Sequence, residues 1–492
     1  MNYNFELKNF TDERSYHNTL IFIYLKAAKD VLGDHTKVRI GNSLNQGYFT
    51  YADTDGSLSL SDVRKIAARM QNLIDQDIEL KEIVMTNAEA AEMWDRYNCR
   101  EKARLLRGRD PEEEIAICGL GRYKNFMYCK LLPSTGYVDR FELRPYRQGM
   151  LLRAPTCLTD GRIPAYRDDD KLYDAFAETR RVRKATGINY LADMNDAIRD
   201  GRTDELIMMS EALQSKQINE FADMIIQAGK KMVLIAGPSS SGKTTSAKRL
   251  CQAIAAKTGE DPLYLGTDDY FVEREFTPVG PDGAPDFEGL GALDLDLFNE
   301  QMSDLLAGRE VDLPEFDFLT GKKKYGGRIT TLRPGQILVI EGIHSLNDVL
   351  TSTIPAGHKF KIYISPLTQL ALDCHNRIST ADARLLRRMV RDNQFRGYDA
   401  EHTLESWPKV RAGESVNIFP YSSSADIVFN SSTVYETNLL RTYAEPLLLE
   451  IGEDNPMYAE AQRILTFMKY FDKIESADAV PQNSILREFI GH

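Results

Sequence analysis

The sequence predicts an α/β protein: a mostly parallel sheet flanked by helices, preceded by a mixed α+β region. Three observations carry this. From Lys231 onward, five short β-branched-rich runs ("KMVLIAG", "DPLYLGT", "GQILVIEG", "FKIYISP", "ADIVFNSS") alternate with helical stretches. Strands buried on both faces have this near-continuous apolar texture, and the helices between them supply the crossovers. Ahead of Lys231 the texture differs, with helix and strand patterns mixed over residues 1–155 and charged helical patterns over 156–228. A chain of 492 residues also exceeds what one core ordinarily serves, at roughly 150 residues per domain.

The elements follow in order. "HNTLIFIYLKAAKDVLG" predicts a helix closed by Gly33, and "SLSDVRKIAARMQNLIDQ" a second one with Ser61 as its N-cap. "FELRPYRQGMLLRAP" predicts strands running to a proline. "DDDKLYDAFAETRRVRKATG" and "TDELIMMSEALQSKQINEFADMIIQAG" predict helices. In the latter, apolar residues recur at three- and four-residue intervals and give it one face to bury. The strand-rich zone occupies residues 229–435, and residues 436–492 predict a helical tail.

Composition narrows the partners. Lys plus Arg number 61 against 73 Asp plus Glu, a net charge of −12. That balance argues against a chain that coats nucleic acid or an anionic membrane, so any bound anion needs a local basic site. No apolar stretch is long enough to span a bilayer, and the first residues lack a signal-peptide pattern. The six cysteines (Cys99, Cys118, Cys129, Cys157, Cys251, Cys374) include no C-x-x-C pair. Reduced thiols in a cytoplasmic protein are expected, rather than a disulfide or zinc framework.

Residues 237–244, "GPSSSGKT", fit G-x-x-x-x-G-K-[ST] between a predicted strand and a predicted helix. Gly237 and Gly242 let backbone N–H groups turn inward around a phosphate, with Ser239, Ser240 and Ser241 inside the turn. The helix opening at Lys243, Thr244 and Thr245 points its positive end at the same place. Lys243 adds a cation for the β/γ oxygens, and the Thr244 hydroxyl suits a magnesium ion. A nucleoside triphosphate site is therefore expected. No N-K-x-D guanine clamp occurs. "LGTDDYF" ends a strand in Asp268 and Asp269, where a carboxylate facing the loop could take a proton from an attacking hydroxyl. The alternative for that pair is an exposed turn or a helix cap.

"ADARLLRRMVRDNQFRGY", residues 381–398, carries Arg384, Arg387, Arg388, Arg391 and Arg396. Arg384, Arg388 and Arg391 share one helix face by their spacing. Such a stripe could close over transferring phosphate. The alternative is a solvated face held by salt bridges.

The ordered set "GPSSSGKTT", "TDDYF", "PDFEGLGALD", "LPEFDFLTGKK", "VIEGIHSL", "LLRRMVRDNQFRG" and "ADIVFN" resembles the uridine kinase and phosphoribulokinase family of P-loop kinases, over residues 230–432. The resemblance implies ATP and Mg²⁺ as cofactors and a nucleoside as substrate. It implies Asp268 as general base on a 5′-hydroxyl, Asp286 on the ribose hydroxyls, Glu341 with Thr244 near the metal, and Arg388, Arg391 and Arg396 in a lid. Asp317 and Phe316 would lie near the substrate. Phe316 stands where the family has tyrosine, Gly321 where it has histidine, and Tyr398 where it often has arginine. The first two changes leave an aromatic face and open space, with Lys322 the nearest substitute donor, and predict relaxed base selectivity. The alternatives are a kinase for another small alcohol, such as ribulose 5-phosphate or pantothenate, or an ATP-binding RNA-linked regulatory protein.

"YHNTLIFIYLKAAKDVLGDHTKVRIGNSLNQGYFTYAD" is similar to the start of the additional editing domain of threonyl- and alanyl-tRNA synthetases. That domain carries H-x-x-x-H and C-x-x-x-H ligand sets; here His17 is followed four residues on by Ile21, and no C-x-x-x-H follows in "YVDRFELRPYRQGMLLRAP". A degenerate domain without a metal site is expected over residues 1–155. The whole chain is expected to be cytoplasmic and homo-oligomeric, with no membrane or nucleic-acid partner.

Overall fold

The computed structural model describes residues 3, 5–33, 36–53, 58–280 and 283–491. The first region runs α1 (Phe10–Leu32), β1 (Lys37–Leu44), β2 (Gly47–Asp53), α2 (Leu60–Asp75), β3 (Lys81–Thr86), α3 (Asn87–Arg96), α4 (Arg100–Arg107), β4 (Glu114–Leu120), β5 (Tyr123–Asn125), β6 (Glu142–Tyr146) and β7 (Gly149–Arg153). Its strands form two antiparallel sheets, ordered β1-β2-β7-β6 and β3-β4-β5. Asn9 opens α1 by accepting the Thr11 and Asp12 amides, and Gly33 closes it at φ +90°, a left-handed position that suits glycine.

The second helix corrects the expected cap. α2 is capped by Ser59, whose side chain accepts the Asp62 amide while the Asp62 carboxylate accepts the Ser59 amide. This reciprocal box satisfies two orphan donors at once, so the helix starts earlier and Ser61 lies inside its first turn.

Three helices follow, α5 (Asp170–Thr186), α6 (Leu191–Arg199) and α7 (Thr203–Gln227). The rest of the chain runs β8 (Met232–Ala236), α8 (Lys243–Thr258), β9 (Leu263–Gly266), α9 (Leu295–Leu306), β10 (Val311–Asp312), β11 (Glu315–Asp317), β12 (Lys322–Lys324), β13 (Ile329–Thr330), β14 (Leu338–Glu341) and β15 (Lys359–Ser365). It ends with α10 (Thr380–Arg396), α11 (Ala400–Asn417), β16 (Ile427–Asn430), α12 (Glu436–Leu449), α13 (Tyr458–Met468) and α14 (Arg487–Ile490).

All five strands expected from the apolar runs join one parallel sheet, ordered β16-β15-β8-β14-β9. Strand alternation explains why these runs are apolar throughout. Val233, Ile235 and Val339 face one core, whereas Met232, Leu234, Leu338 and Ile340 face a second core with Phe298 and Met302. The expected C-terminal tail is built into the first of these cores: Phe467, Phe471, Leu486 and Phe489 share it with Val233 and Ile235. Among the described residues no helix is long and apolar enough to cross a membrane.

Candidate functional site

Register places the chemistry. In the parallel sheet Glu341 pairs with Ile235 of β8 on one side and Gly266 of β9 on the other. The C-terminal ends of three adjacent strands therefore open side by side: the glycine loop after β8, Glu341 at the end of β14, and Asp268 two residues beyond β9. In open α/β sheets this edge is where ligands bind.

The loop has the shape that its composition predicts. A Cβ on Gly237 would lie 2.1 Å from the Ile364 carbonyl oxygen, so only glycine fits. Ser240 at φ +57° and Gly242 at φ +82° are both left-handed, which turns neighbouring N–H groups into a concave anion nest. Lys243 lies at the first residue of α8, its Nζ 3.4 Å from the Pro238 carbonyl. The Thr244 hydroxyl donates to Glu341 at 2.8 Å, and the Tyr264 hydroxyl reaches the same Glu341 oxygen at 3.2 Å. The Ser240 and Ser241 hydroxyls are buried without a hydrogen-bond partner among the described residues.

Two acidic side chains from distant parts of the chain rest on this loop. Glu414 of α11 accepts the Ser239 amide at 2.8 Å. Glu488 of α14 accepts the Thr245 amide at 3.2 Å and its hydroxyl at 2.7 Å. Neither is predicted by a local motif.

The adjacent acids part company. Asp269 accepts Arg328 at 2.6 Å and the Phe316 amide at 3.4 Å, which ties it to the β11–β12 hairpin. Asp268 opens onto the cleft and has no hydrogen-bond partner among the described residues. Enclosure by protein on its other sides, and then the Glu341 charge, push its carboxyl up to about 6 against the pull of Lys243. Gly342 follows Glu341 because a Cβ there would fall 1.8 Å from the Thr267 hydroxyl oxygen.

The arginines of α10 divide by face. Arg384 is buried in a two-pronged pair with Glu414 at 2.5 and 2.8 Å, and Arg387 in one with Glu436 at 2.5 and 2.7 Å. Arg384 is thus held by a salt bridge, but a buried one and not on the solvated face of the stated alternative. Arg388 donates to the Ser239 hydroxyl at 2.9 Å. Arg388, Arg391 and Arg396 all converge on Asp392, at 3.3, 2.7 and 3.5 Å. Burial pulls the Arg388 and Arg396 guanidiniums below their usual value. Glu288, which local motifs did not single out, faces the same charges. Desolvation and Glu414 raise its carboxyl, and Arg388 and Lys243 oppose this.

Asp286 accepts the Glu288 and Gly289 amides through Oδ1 at 3.1 and 3.0 Å. Asp317 is bound within its own hairpin, accepting the Leu319 and Thr320 amides at 2.9 and 3.3 Å and pairing with Lys324 at 2.8 Å. Lys324 and those amides hold its carboxyl down at about 2. Phe316 joins a ring cluster with Phe271 at 5.7 Å and Phe318 at 5.1 Å. The open space expected over Gly321 is a correction: Gly321 sits at φ +70°, and a Cβ there would lie 2.7 Å from the Arg274 Cβ. Arg274 also donates to the Phe318 carbonyl at 2.5 Å, so a guanidinium, and not Lys322, covers this position.

In the first region both ring nitrogens of His17 are engaged, with the Tyr48 hydroxyl at 2.9 Å and the Pro155 carbonyl at 2.8 Å. Ile21 is buried in the core beside it.

A parallel sheet whose first crossover is a glycine loop with Lys243 and Thr244 at the helix start defines a P-loop phosphate-binding protein. Residues 232–438 match the Phosphoribulokinase / Uridine kinase family. A uridine kinase of Tolumonas auensis is 30% identical over 199 residues, covering 39% of this chain and 83% of its own. A uridine kinase of Deinococcus deserti is 26% identical over 195 residues, covering 39% and 84%. The solved structure of a possible uridine kinase from Bacillus stearothermophilus shares 21% identity at a TM-score of 0.28, covering 44% of this chain and 97% of that one. The chain belongs to the phosphoribulokinase / uridine kinase family, through its C-terminal half, and is a phosphotransferase of the kinase type.

Proposed function

We propose that the protein transfers the γ-phosphoryl group of ATP to the 5′-hydroxyl of a ribonucleoside, of the uridine or cytidine type. The observation that carries this reading is the division of labour between Asp268 and Asp269. One carboxylate is unpaired at the strand edge beside Lys243 and Glu341, and the other is tied to Arg328. A carboxyl raised to about 6 approaches the near-neutral pKa that suits a general base.

In this reading Asp268 takes the proton of the 5′-hydroxyl as that oxygen attacks. Lys243 and the loop amides hold the β- and γ-phosphates. Arg388, Arg391 and Arg396 neutralise charge that spreads over the equatorial oxygens. Asp286 grips the ribose, with the rings of Phe316, Phe271 and Phe318 beside the base. The hydroxyl and carboxylate of Thr244 and Glu341, 2.8 Å apart, are a hard-oxygen pair that fits a magnesium ion. Those two would hold it, and it would draw charge from the phosphate oxygens. Residues 229–435 form the kinase unit in this account, and residues 1–155 a degenerate editing-like domain whose His17 serves packing.

The test is ADP release with ATP and each common ribo- and deoxyribonucleoside, with ribulose 5-phosphate and pantothenate as alternative acceptors. Stimulation by ribonucleosides alone supports the reading, and stimulation only by another alcohol refutes it.

A further inference from the structure

A second cleft, of about 650 Å³, lies between the first antiparallel sheet, α5 and the segment 371–377 that leads into α10. It shares no residue with the phosphate loop, Asp268, Glu341 or the α10 arginines. Strand alternation builds one wall: Arg39, Phe49 and Tyr51 point to this side, while Thr50 turns to Tyr24 of α1 at 2.7 Å. Helical spacing builds the next, with Tyr173, Phe176 and Arg183 on one face of α5. Cys374 and Arg377 close the third.

One cation in this cleft has no counter-charge among the described residues. Arg39 is paired with Asp53 at 2.6 Å. Asp373 is committed to Lys102 at 3.6 Å and to the Asn376 amide at 2.9 Å. Arg377 differs. It is half-buried, its Nη1 donates to the Gly41 carbonyl at 2.8 Å, and no carboxylate among the described residues pairs with it. Burial, and the neighbouring Arg183 charge, draw its guanidinium down to about 9. The buried Thr179 hydroxyl on the same wall also lacks a partner among the described residues. A partly desolvated cation without a counter-charge is costly, and an anion relieves it.

The cleft also has an aromatic wall. Phe49 and Tyr173 meet edge to face at 5.8 Å, with Tyr51 stacked on Phe49 at 5.9 Å. Asn42 and Gln148 also line the cleft. The volume lies within the roughly 300–1,000 Å³ of small-molecule sites. A guanidinium fork matches phosphate oxygens in pairs, ring faces take a planar heterocycle, and side-chain amides can read its edge. Guanidinium groups and rings lining one cleft call for a ligand with one anionic group and one ring system.

We propose that this cleft binds a nucleoside monophosphate, with its phosphate on Arg377 and Arg183 and its base against Phe49, Tyr51 and Tyr173. The site is independent of the phosphate loop, and the proposal does not rest on the acceptor assigned above. Its floor, residues 371–377, runs directly into the helix that carries Arg388, Arg391 and Arg396.

Calorimetric titration of the full chain with uridine 5′-monophosphate and adenosine 5′-monophosphate tests it. A Lys243→Ala/Asp286→Ala variant isolates the second cleft from the first. The expected result is a binding event that persists in that variant and weakens at least tenfold when Arg377→Gln or Tyr173→Ala is added, given the usual size of a charge-assisted hydrogen bond or a base stack. Tyr173→Ala keeps the test open if Arg377→Gln fails to fold, and orthophosphate should bind at least tenfold more weakly than either nucleotide. ATP turnover of Arg377→Gln in the otherwise native chain should stay unchanged. The proposal is overturned if no event survives Lys243→Ala/Asp286→Ala, if the event ignores both cleft substitutions, or if orthophosphate binds as tightly as the nucleotides.

Discussion

The Arg328 guanidinium holds the Asp269 carboxylate at 2.6 Å, and this contact is what separates two acids that are neighbours in sequence. Asp268→Asn should lower kcat by about two to four orders of magnitude while ATP still binds, because an amide cannot take a proton. Asp269→Asn should cost less than tenfold in kcat and about 1 kcal/mol or less in stability, since a half-exposed ion pair is worth little. Steady-state kinetics with a parallel thermal melt check both. A reversed ranking in kcat would move the base role to Asp269.

The raised Asp268 carboxyl has a pH signature. A base must be ionised, so kcat/KM should climb as pH rises through about 6 and level off above it. Asp268→Asn should abolish that acid limb along with most of the rate. The same group acts on stability in the opposite sense to a salt-bridged carboxylate. Its folded-state value lies above its unfolded one, so its proton favours the folded state, and this contribution is lost as pH rises through about 6.

Lys243 supplies the one lysine charge inside the phosphate-loop motif. Lys243→Ala should leave a folded chain and lower turnover on the order of a thousandfold, the usual loss for a group that acts on transition-state charge. Circular dichroism and the rate of ADP release check it. Retention of more than about a tenth of the activity would mean that the loop does not act in transfer.

Glu488 occupies the Thr245 amide and hydroxyl at the start of α8. A phosphate approaching those donors meets both a competitor and a like charge. Glu488→Gln should therefore tighten ATP binding, by roughly three- to tenfold for one partly screened charge. The affinity of wild type and variant for a non-hydrolysable ATP analogue, measured at two salt concentrations, checks this. A weaker affinity in the variant would mean that Glu488 holds the loop in its binding shape.

The features legible in sequence were those written in short-range pattern. Five apolar runs gave the parallel sheet because burial on both faces leaves no polar alternation. The glycine loop was legible because left-handed turns and a 2.1 Å backbone approach need glycine at fixed spacing. Glu414 and Glu488 were not, because they reach the loop from about 170 and 240 residues away through tertiary packing. Ser59 and Ser61 are both N-cap residue types, and only the reciprocal bond to Asp62 decides between them. Arg274 over Gly321 had no signal either, since a deleted side chain reads as space until its neighbour is seen to fill it. The stripe of arginines was visible, but not its division. Glu414 and Glu436 bury Arg384 and Arg387, and only Arg388, Arg391 and Arg396 are left to gather around Asp392.

The central claim is transfer from ATP to a nucleoside 5′-oxygen with Asp268 as the base. Single-turnover transfer from ATP labelled in its γ-phosphate, with uridine, cytidine, adenosine and guanosine as acceptors, tests it most directly. The account predicts label on the 5′-oxygen of a pyrimidine ribonucleoside in the wild-type chain. It predicts that Asp268→Asn loses that transfer with ATP affinity retained. Label appearing only as free phosphate, or on a nucleoside at an undiminished rate in Asp268→Asn, would contradict it.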